Sequence, residues 1–214
     1  MPNKKTISAV VIIVISLGLL AAFWQKEGSA QGGSVTSLNS SDWTRGAPNP
    51  KITLIEYGDF QCPACRSYEG VVQQLSKDFK DTLSFGYRHF PLVQIHQNAL
   101  LSSKASEAAG LQGGFWEMHD ILYEKQSEWS TASNGKEIFI GYAKSLGLDI
   151  ARFEKDLESA ELTKKIEANY RDGLRLDVSS TPTFFLNGKK IKSPGSLEDF
   201  KKLIEKEISG SGAL

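Results

Sequence analysis

Cys62 and Cys65, in the run Cys62-Pro63-Ala64-Cys65, are the only two cysteines among 214 residues. Two intervening residues hold the thiols close enough to close and reopen a small disulfide ring. With no third cysteine, they must pair with each other, with a substrate or with a partner protein. A thiolate, not a thiol, attacks a disulfide, so such a site needs one cysteine deprotonated near neutral pH. At the start of a helix, free backbone N–H groups and the positive end of the dipole stabilise negative charge. Pro63 suits a first helical turn, where its missing N–H costs nothing. In such motifs a cysteine pKa falls from about 8.5 into the range ~3.5–7.5. Cys62 is therefore read as the nucleophile and Cys65, deeper in the helix, as the buried resolving thiol.

Two other readings of the pair are weaker. A structural zinc takes four ligands, commonly Cys-x-x-Cys and a second spaced pair. The remaining candidates here are His89, His96 and His119, with no His-x-x-x-His spacing, so no metal is expected. A purely structural disulfide would close so small a loop that it removes little entropy from the unfolded chain. Thiol–disulfide exchange is the strong reading, and that chemistry calls for no cofactor.

The elements that position the pair follow from apolar periodicity. Lys51–Tyr57 is β-rich and reads as a buried strand. After the cysteines, Tyr68, Val71, Val72, Leu75 and Phe79 recur at spacings of three and four, one face of a helix. Leu83, Phe85, Tyr87 and His89 alternate with Ser84, Gly86 and Arg88 as a second strand. A strand–helix–strand unit with the cysteines at its first junction predicts two parallel strands. A long helical stretch follows from about 97 to 175, with Asp149 as one N-cap. Thr183–Leu186 and Lys189–Lys192 then flank Asn187-Gly188, a strong hairpin signal. Ser196 with Asp199 opens a last helix as an approximate capping box. The predicted order is βαβ, helical insertion at about 96–175, then ββα, within a domain spanning 51–210.

The N-terminus sets the compartment. Lys4 and Lys5 precede an apolar run from Ile7 to Trp24, broken only by Ser8, Ser16 and Gly18. At ~1.5 Å per residue that run nearly spans a hydrocarbon core of about 30 Å. It exceeds the ~7–15 residues usual for the core of a cleaved signal. Residues 1–26 are read as a signal-anchor with the domain outside the cytoplasm, as the lysines favour. Cleavage near Gly28-Ser29-Ala30, giving a secreted or periplasmic form, is the alternative. Residues 27–50, rich in Gly, Ser, Ala and Asn, read as a flexible linker, with Trp43 as the exception expected to dock on the domain. In an exported domain disulfides persist. The formal net charge is zero and no compact basic run is present, so nucleic-acid binding is not expected.

Longer stretches resemble one family. Phe60-Gln61-Cys62-Pro63-Ala64-Cys65 after a Glu-bearing strand is similar to the DsbA-like branch of thioredoxin-fold oxidoreductases. So are Tyr87-Arg88-His89-Phe90-Pro91-Leu92, Phe115-Trp116-Glu117 and Ser180-Thr181-Pro182-Thr183-Phe184-Phe185. The resemblance runs from about Ile52 to Ile208. It implies an α/β thioredoxin fold with an inserted helical subdomain, and thiol oxidation or isomerisation as its work. It implies further that Pro182 is a cis-proline packed against the cysteines and that Thr181 offers backbone groups to an extended substrate. Pro63 and Ala64 are expected to border that substrate. Glu56, six residues before Cys62 on a strand that reads as buried, is costly there without a role or a partner. In the related folds an acid at this place relays protons to the buried cysteine, so Glu56 is expected to assist Cys65. Many relatives carry His where this chain has Ala64, which implies a less acidic Cys62 and a less oxidising disulfide here than in a dedicated oxidase.

The expected protein is a monomeric, membrane-tethered thiol–disulfide oxidoreductase that introduces disulfides into exported proteins through the Cys62–Cys65 pair. Its partners would be exported proteins with thiols or disulfides and a membrane redox partner. A reductase or isomerase fed by a membrane electron donor, a chaperone module that uses the cysteines weakly, and a zinc-binding protein are the alternatives.

Overall fold

The computed structural model describes residues 36–211. The expected anchor at 1–26 lies outside them. Among the described residues no helix is long and apolar enough to cross a membrane.

Five strands, β1 (Trp43–Gly46), β2 (Ile52–Gly58), β3 (Leu83–His89), β4 (Thr183–Leu186) and β5 (Lys189–Ile191), form one sheet in the order β1-β3-β2-β4-β5. β2 and β3 are parallel, while β1–β3, β2–β4 and β4–β5 are antiparallel. The parallel pair is the predicted βαβ unit, crossed over by helix α1 (Pro63–Asp78). β2 is buried along its length apart from Thr53, which is why it reads as a continuous apolar run with one conspicuous carboxylate. The β4–β5 hairpin turns through Asn187 and Gly188, at φ +46° and +80°, the backbone that a two-residue loop of this kind demands.

Between β3 and β4 lie α2 (Ala99–Gly110), α3 (Phe115–Glu124), α4 (Gln126–Trp129), α5 (Gly135–Ser145), α6 (Ile150–Leu157) and α7 (Ala160–Arg175). Asp149 caps α6 by accepting from the Arg152 N–H at 3.0 Å. Ser196 and Asp199 form the expected box at the start of α8 (Leu197–Ser211), the Asp199 N–H donating to Ser196 Oγ at 3.2 Å. One sheet face, with Ile52, Leu54, Phe85 and Phe184, packs on Val72 and Leu75 of α1 and Phe200 and Ile204 of α8. The inserted helices continue this core through Phe115, Met118 and Leu122. The opposite face carries a smaller cluster of Ile55, Tyr57, Phe90 and Phe185, closed over by Tyr170 of α7.

One expectation is corrected. The linker reading of 27–50 does not hold for its described part, because residues 43–46 are a sheet strand with Trp43 opposite Tyr87 and Arg45 opposite Phe85. Trp43 stacks on Phe115 at 4.8 Å, and the Arg45 guanidinium lies 4.5 Å over the Trp116 ring. Four residues with a single apolar side chain give too short an alternation to read as a strand. The segment is held by stacking and ion pairs contributed by distant elements.

Candidate functional site: a thiol pair at a strand–helix junction

The chain leaves β2 at Gly58, turns, and enters α1 with Cys62 as its N-cap in extended backbone and Pro63 at the first position. Asp59 shapes that turn. Its carbonyl accepts the Cys62 N–H at 3.0 Å. Its carboxylate, fully buried, accepts the N–H of Gln61 at 2.8 Å and of Leu92 at 2.9 Å, and meets His96 Nδ1 at 2.7 Å. The inserted subdomain grips the same loop from the other side: Gln126 of α4 donates to the carbonyls of Phe60 at 2.7 Å and Cys62 at 3.0 Å. Every backbone group of the turn that these bonds satisfy is fixed, so the Cys62 sulfur sits on a rigid support.

Both cysteines are free thiols; Cys65 is sealed at 1 % exposure and Cys62 stands at the rim at 7 %. Pro63 and Ala64 are exposed beside Cys62. The Cys62 thiol is pulled down to about 5, first by a hydrogen bond from the Cys65 thiol, then by the Thr181 hydroxyl and the backbone N–H groups of Cys65 and Ala64, against the cost of burial. Ala64 thus helps through its backbone alone. Cys65 moves the other way: burial, the shared hydrogen bond to Cys62 and the neighbouring Glu56 charge push its thiol well above the usual range. One thiolate is therefore shared by the pair and resides on the rim sulfur.

The Thr181–Pro182 peptide bond is cis, as expected. The Cys62 Sγ lies 3.4 Å from the Thr181 carbonyl oxygen, so the loop before β4 closes against the nucleophile.

Glu56 lies beneath the pair on β2, opposite Tyr87 of β3 and Phe184 of β4, and is 2 % exposed. Burial, then the charge of Glu69, raises its carboxyl well above the usual carboxylate range; Arg45 and a hydrogen bond with Cys65 act against this. Gly58 makes room: a Cβ there would stand 2.8 Å from the Tyr87 hydroxyl and 2.9 Å from Glu56 Oε1. The structure thus brings together Glu56, Cys62, Cys65, Thr181 and Pro182, which lie up to 126 residues apart in the chain. It adds Asp59, Gln126 and His96, which the sequence reading did not assign. Asp59, a carboxylate two residues after a buried strand, was the available signal; His96 and Gln126 carry none, because their partners come from remote elements.

A thiol pair at the N-terminus of a helix in a βαβ unit, faced by a cis-proline loop, points to one fold family. The sequence model for thioredoxin matches residues 38–206. The chain belongs to the thioredoxin family. Within it, the inserted helices give the fold of the DsbA-like thiol–disulfide oxidoreductases. Oxidised BdbD of Bacillus subtilis superposes with a TM-score of 0.70 at 24% identity, over 79% of this chain and 94% of that one. The alpha-DsbA1 of Wolbachia pipientis gives 0.70 at 18% identity, over 81% and 94%. Among curated proteins, the Na(+)/H(+) antiporter NhaA 1 of Mycolicibacterium gilvum is 36% identical over 168 residues, 77% of this chain and 26% of that protein. The chain therefore spans about a quarter of the length of the curated relatives it matches. The family match starts at residue 38, ahead of the strand β1 that the sequence reading assigned to a linker.

Proposed function

We propose that this protein oxidises thiols of exported proteins by passing the Cys62–Cys65 disulfide to them. The observation that carries this reading is the division of labour in the pair: a thiolate held on rim Cys62 and a proton held on buried Cys65. A substrate thiolate attacks the Cys62 sulfur of the disulfide, the Cys62–Cys65 bond breaks, and Cys65 leaves with the electron pair. Cys65 takes a proton, for which the buried Glu56 carboxyl is the donor. A second substrate thiol, having lost its proton to solvent, attacks the substrate sulfur of the mixed disulfide. Cys62 then departs as a stable thiolate, and the substrate leaves oxidised by two electrons. Because that leaving group is stabilised, the reduced protein is favoured and the disulfide is oxidising, less so than it would be with His in place of Ala64.

An extended substrate segment would lie across Pro63 and Ala64 and pair with the backbone of Thr181 ahead of Pro182. The apolar run of residues 7–24 and the two lysines before it support placing the domain outside the cytoplasm, held at the membrane, where a membrane redox partner would restore the disulfide. The test is net thiol oxidation of a reduced, unfolded client of known disulfide content. The oxidised protein should transfer one disulfide per molecule, with native client disulfides appearing. Client disulfides lost from an oxidised substrate, with none gained, would instead make it a reductase.

A further inference from the structure

Four large apolar side chains stand exposed among the described residues, and three of them belong to two neighbouring elements: Val93 at 50 %, Ile95 at 72 % and Leu174 at 50 %. Val93 and Ile95 are on the loop between β3 and α2, and Leu174 is on α7. The loop and the helix enclose an open apolar groove of about 210 Å³, lined by Pro91, Val93, Leu100, Ile166 and Tyr170. Thr163, Glu167 and Tyr170 of its wall recur at spacings of four and three, and Leu174 follows at four more. Leu174 therefore prolongs the same stripe of α7. Single exposed apolar residues need no account, but a gathered patch marks an interaction surface.

What covers it is indicated by where the chain enters the domain. The described residues begin at Thr36, whose hydroxyl accepts from Arg88. Arg88 also donates to Asp172 at 3.0 Å, and Asp172 lies on α7 between Tyr170 and Leu174. The polypeptide leading back to the apolar run of residues 7–24 thus departs beside the exposed turn of α7. Residues 25–35, eleven in number, span at most about 40 Å when fully extended. A bilayer that holds the apolar run stays within that reach of Thr36. Arg171 and Arg175 flank Leu174 and are largely open to solvent. Their ion pairs, with Glu167 at 3.5 Å and Asp172 at 3.1 Å, are exposed and hold them weakly. Apolar side chains between arginines on one helix suit an anionic lipid surface, where the former sink among acyl chains and the guanidinium groups meet phosphates. The client path across Pro63, Ala64 and Thr181 shares no residue with the groove.

We infer that the 91–96 loop and the Tyr170–Leu174 turn of α7 rest on the anionic phospholipid surface to which residues 7–24 tether the domain. The docking loop is tied to the reactive turn: the buried Asp59 carboxylate accepts the Leu92 N–H at 2.9 Å and meets His96 Nδ1 at 2.7 Å, while the Asp59 carbonyl accepts the Cys62 N–H. Docking therefore holds Cys62 in a fixed orientation near the bilayer, where a membrane redox partner would meet it. The inference rests on the membrane placement proposed above.

The test uses full-length protein with Cys62→Ser and Cys65→Ser, inserted in vesicles of phosphatidylethanolamine with about one-third phosphatidylglycerol. A single pyrene label is placed through Ile95→Cys, through Leu174→Cys, or through Lys77→Cys on α1, which packs on the opposite face of the sheet. All three positions are exposed, so the label does not enter the core. Lipid carrying a doxyl group near the headgroup should quench the labels at 95 and 174 about threefold more than the label at 77. Adding Arg171→Glu and Arg175→Glu should remove at least half of that difference. Equal quenching at all three positions would overturn the docking face. Excimer emission from the label at 174 that rises with protein density, without quenching by lipid, would give the groove to a second copy of the chain and overturn it equally. A full-length protein that does not float with the vesicles would overturn the membrane placement itself, and the inference with it.

Discussion

Replacing Cys65 by serine is expected to stop exchange half-way: the Cys62 thiolate attacks a client disulfide, one client thiolate leaves, and the Cys62–client mixed disulfide accumulates. The resolving sulfur lies behind Cys62 at 1 % exposure, so once it is removed nothing within reach can release the mixed disulfide except a second external thiol. Such complexes should survive non-reducing electrophoresis and dissolve on addition of reductant. Cys62→Ser should form none and should lose thiol–disulfide exchange by a thousandfold or more, since the only nucleophile of the pair has gone. The same asymmetry sets the pH dependence. Cys62 is held at about 5, so its alkylation in the reduced wild type should be nearly constant above about pH 6. It should fall roughly tenfold per unit below pH 5, as the thiolate is protonated. Equal alkylation of both cysteines, or a midpoint near 8.5, would remove the division of labour on which the mechanism stands.

The second large effect is on stability. Arg88, buried at the back of β3, grips Asp42 through two bonds of 2.8 and 2.7 Å and also donates to the Tyr57 hydroxyl at 2.9 Å and Asp172 at 3.0 Å. The Asp42 side chain is 1 % exposed. Removing one partner of a buried pair leaves a charge without compensation, which costs about 3–5 kcal/mol. Arg88→Ala should therefore lower the melting temperature by roughly 10 °C for a domain of this size. Arg88→Lys should recover little, because an ammonium cannot reproduce the planar fork. The double variant Arg88→Met with Asp42→Asn should be more stable than Arg88→Ala alone, since the stranded charge is then absent. If thermal unfolding moved by less than about 3 °C in Arg88→Ala, the buried pair would not be holding the N-terminal segment to the sheet.

The redox pair, the strand before it and the helix after it were legible because each is a local signal, whereas the cis-proline loop was expected only through the family resemblance. Cys62 and Cys65 carry their chemistry in their spacing, and Glu56 stands out as a carboxylate in an otherwise apolar strand. The hairpin at Asn187-Gly188 needs a turn that few dipeptides make. What was not legible depends on partners far away in the chain. β1 has one apolar residue in four and is fixed by Phe115, Trp116 and Glu69. Glu69 sits on an apolar stripe whose period it obeys, and its polarity reads as a solvated position until Arg45 and His119 are seen beside it. His96 and Asp59 are 37 residues apart and meet only because β3 returns beside β2. Local periodicity carries no information about such pairings.

The reduction potential of the Cys62–Cys65 pair, measured by equilibration with glutathione buffers at pH 7, tests the central claim most directly. Holding the Cys62 thiolate stabilises the reduced form, so the value should lie at ~−180 mV or higher, in the range of proteins that donate disulfides. A value near ~−270 mV, where the pair would be drawn toward the dithiol only by a dedicated electron supply, would contradict the oxidase assignment.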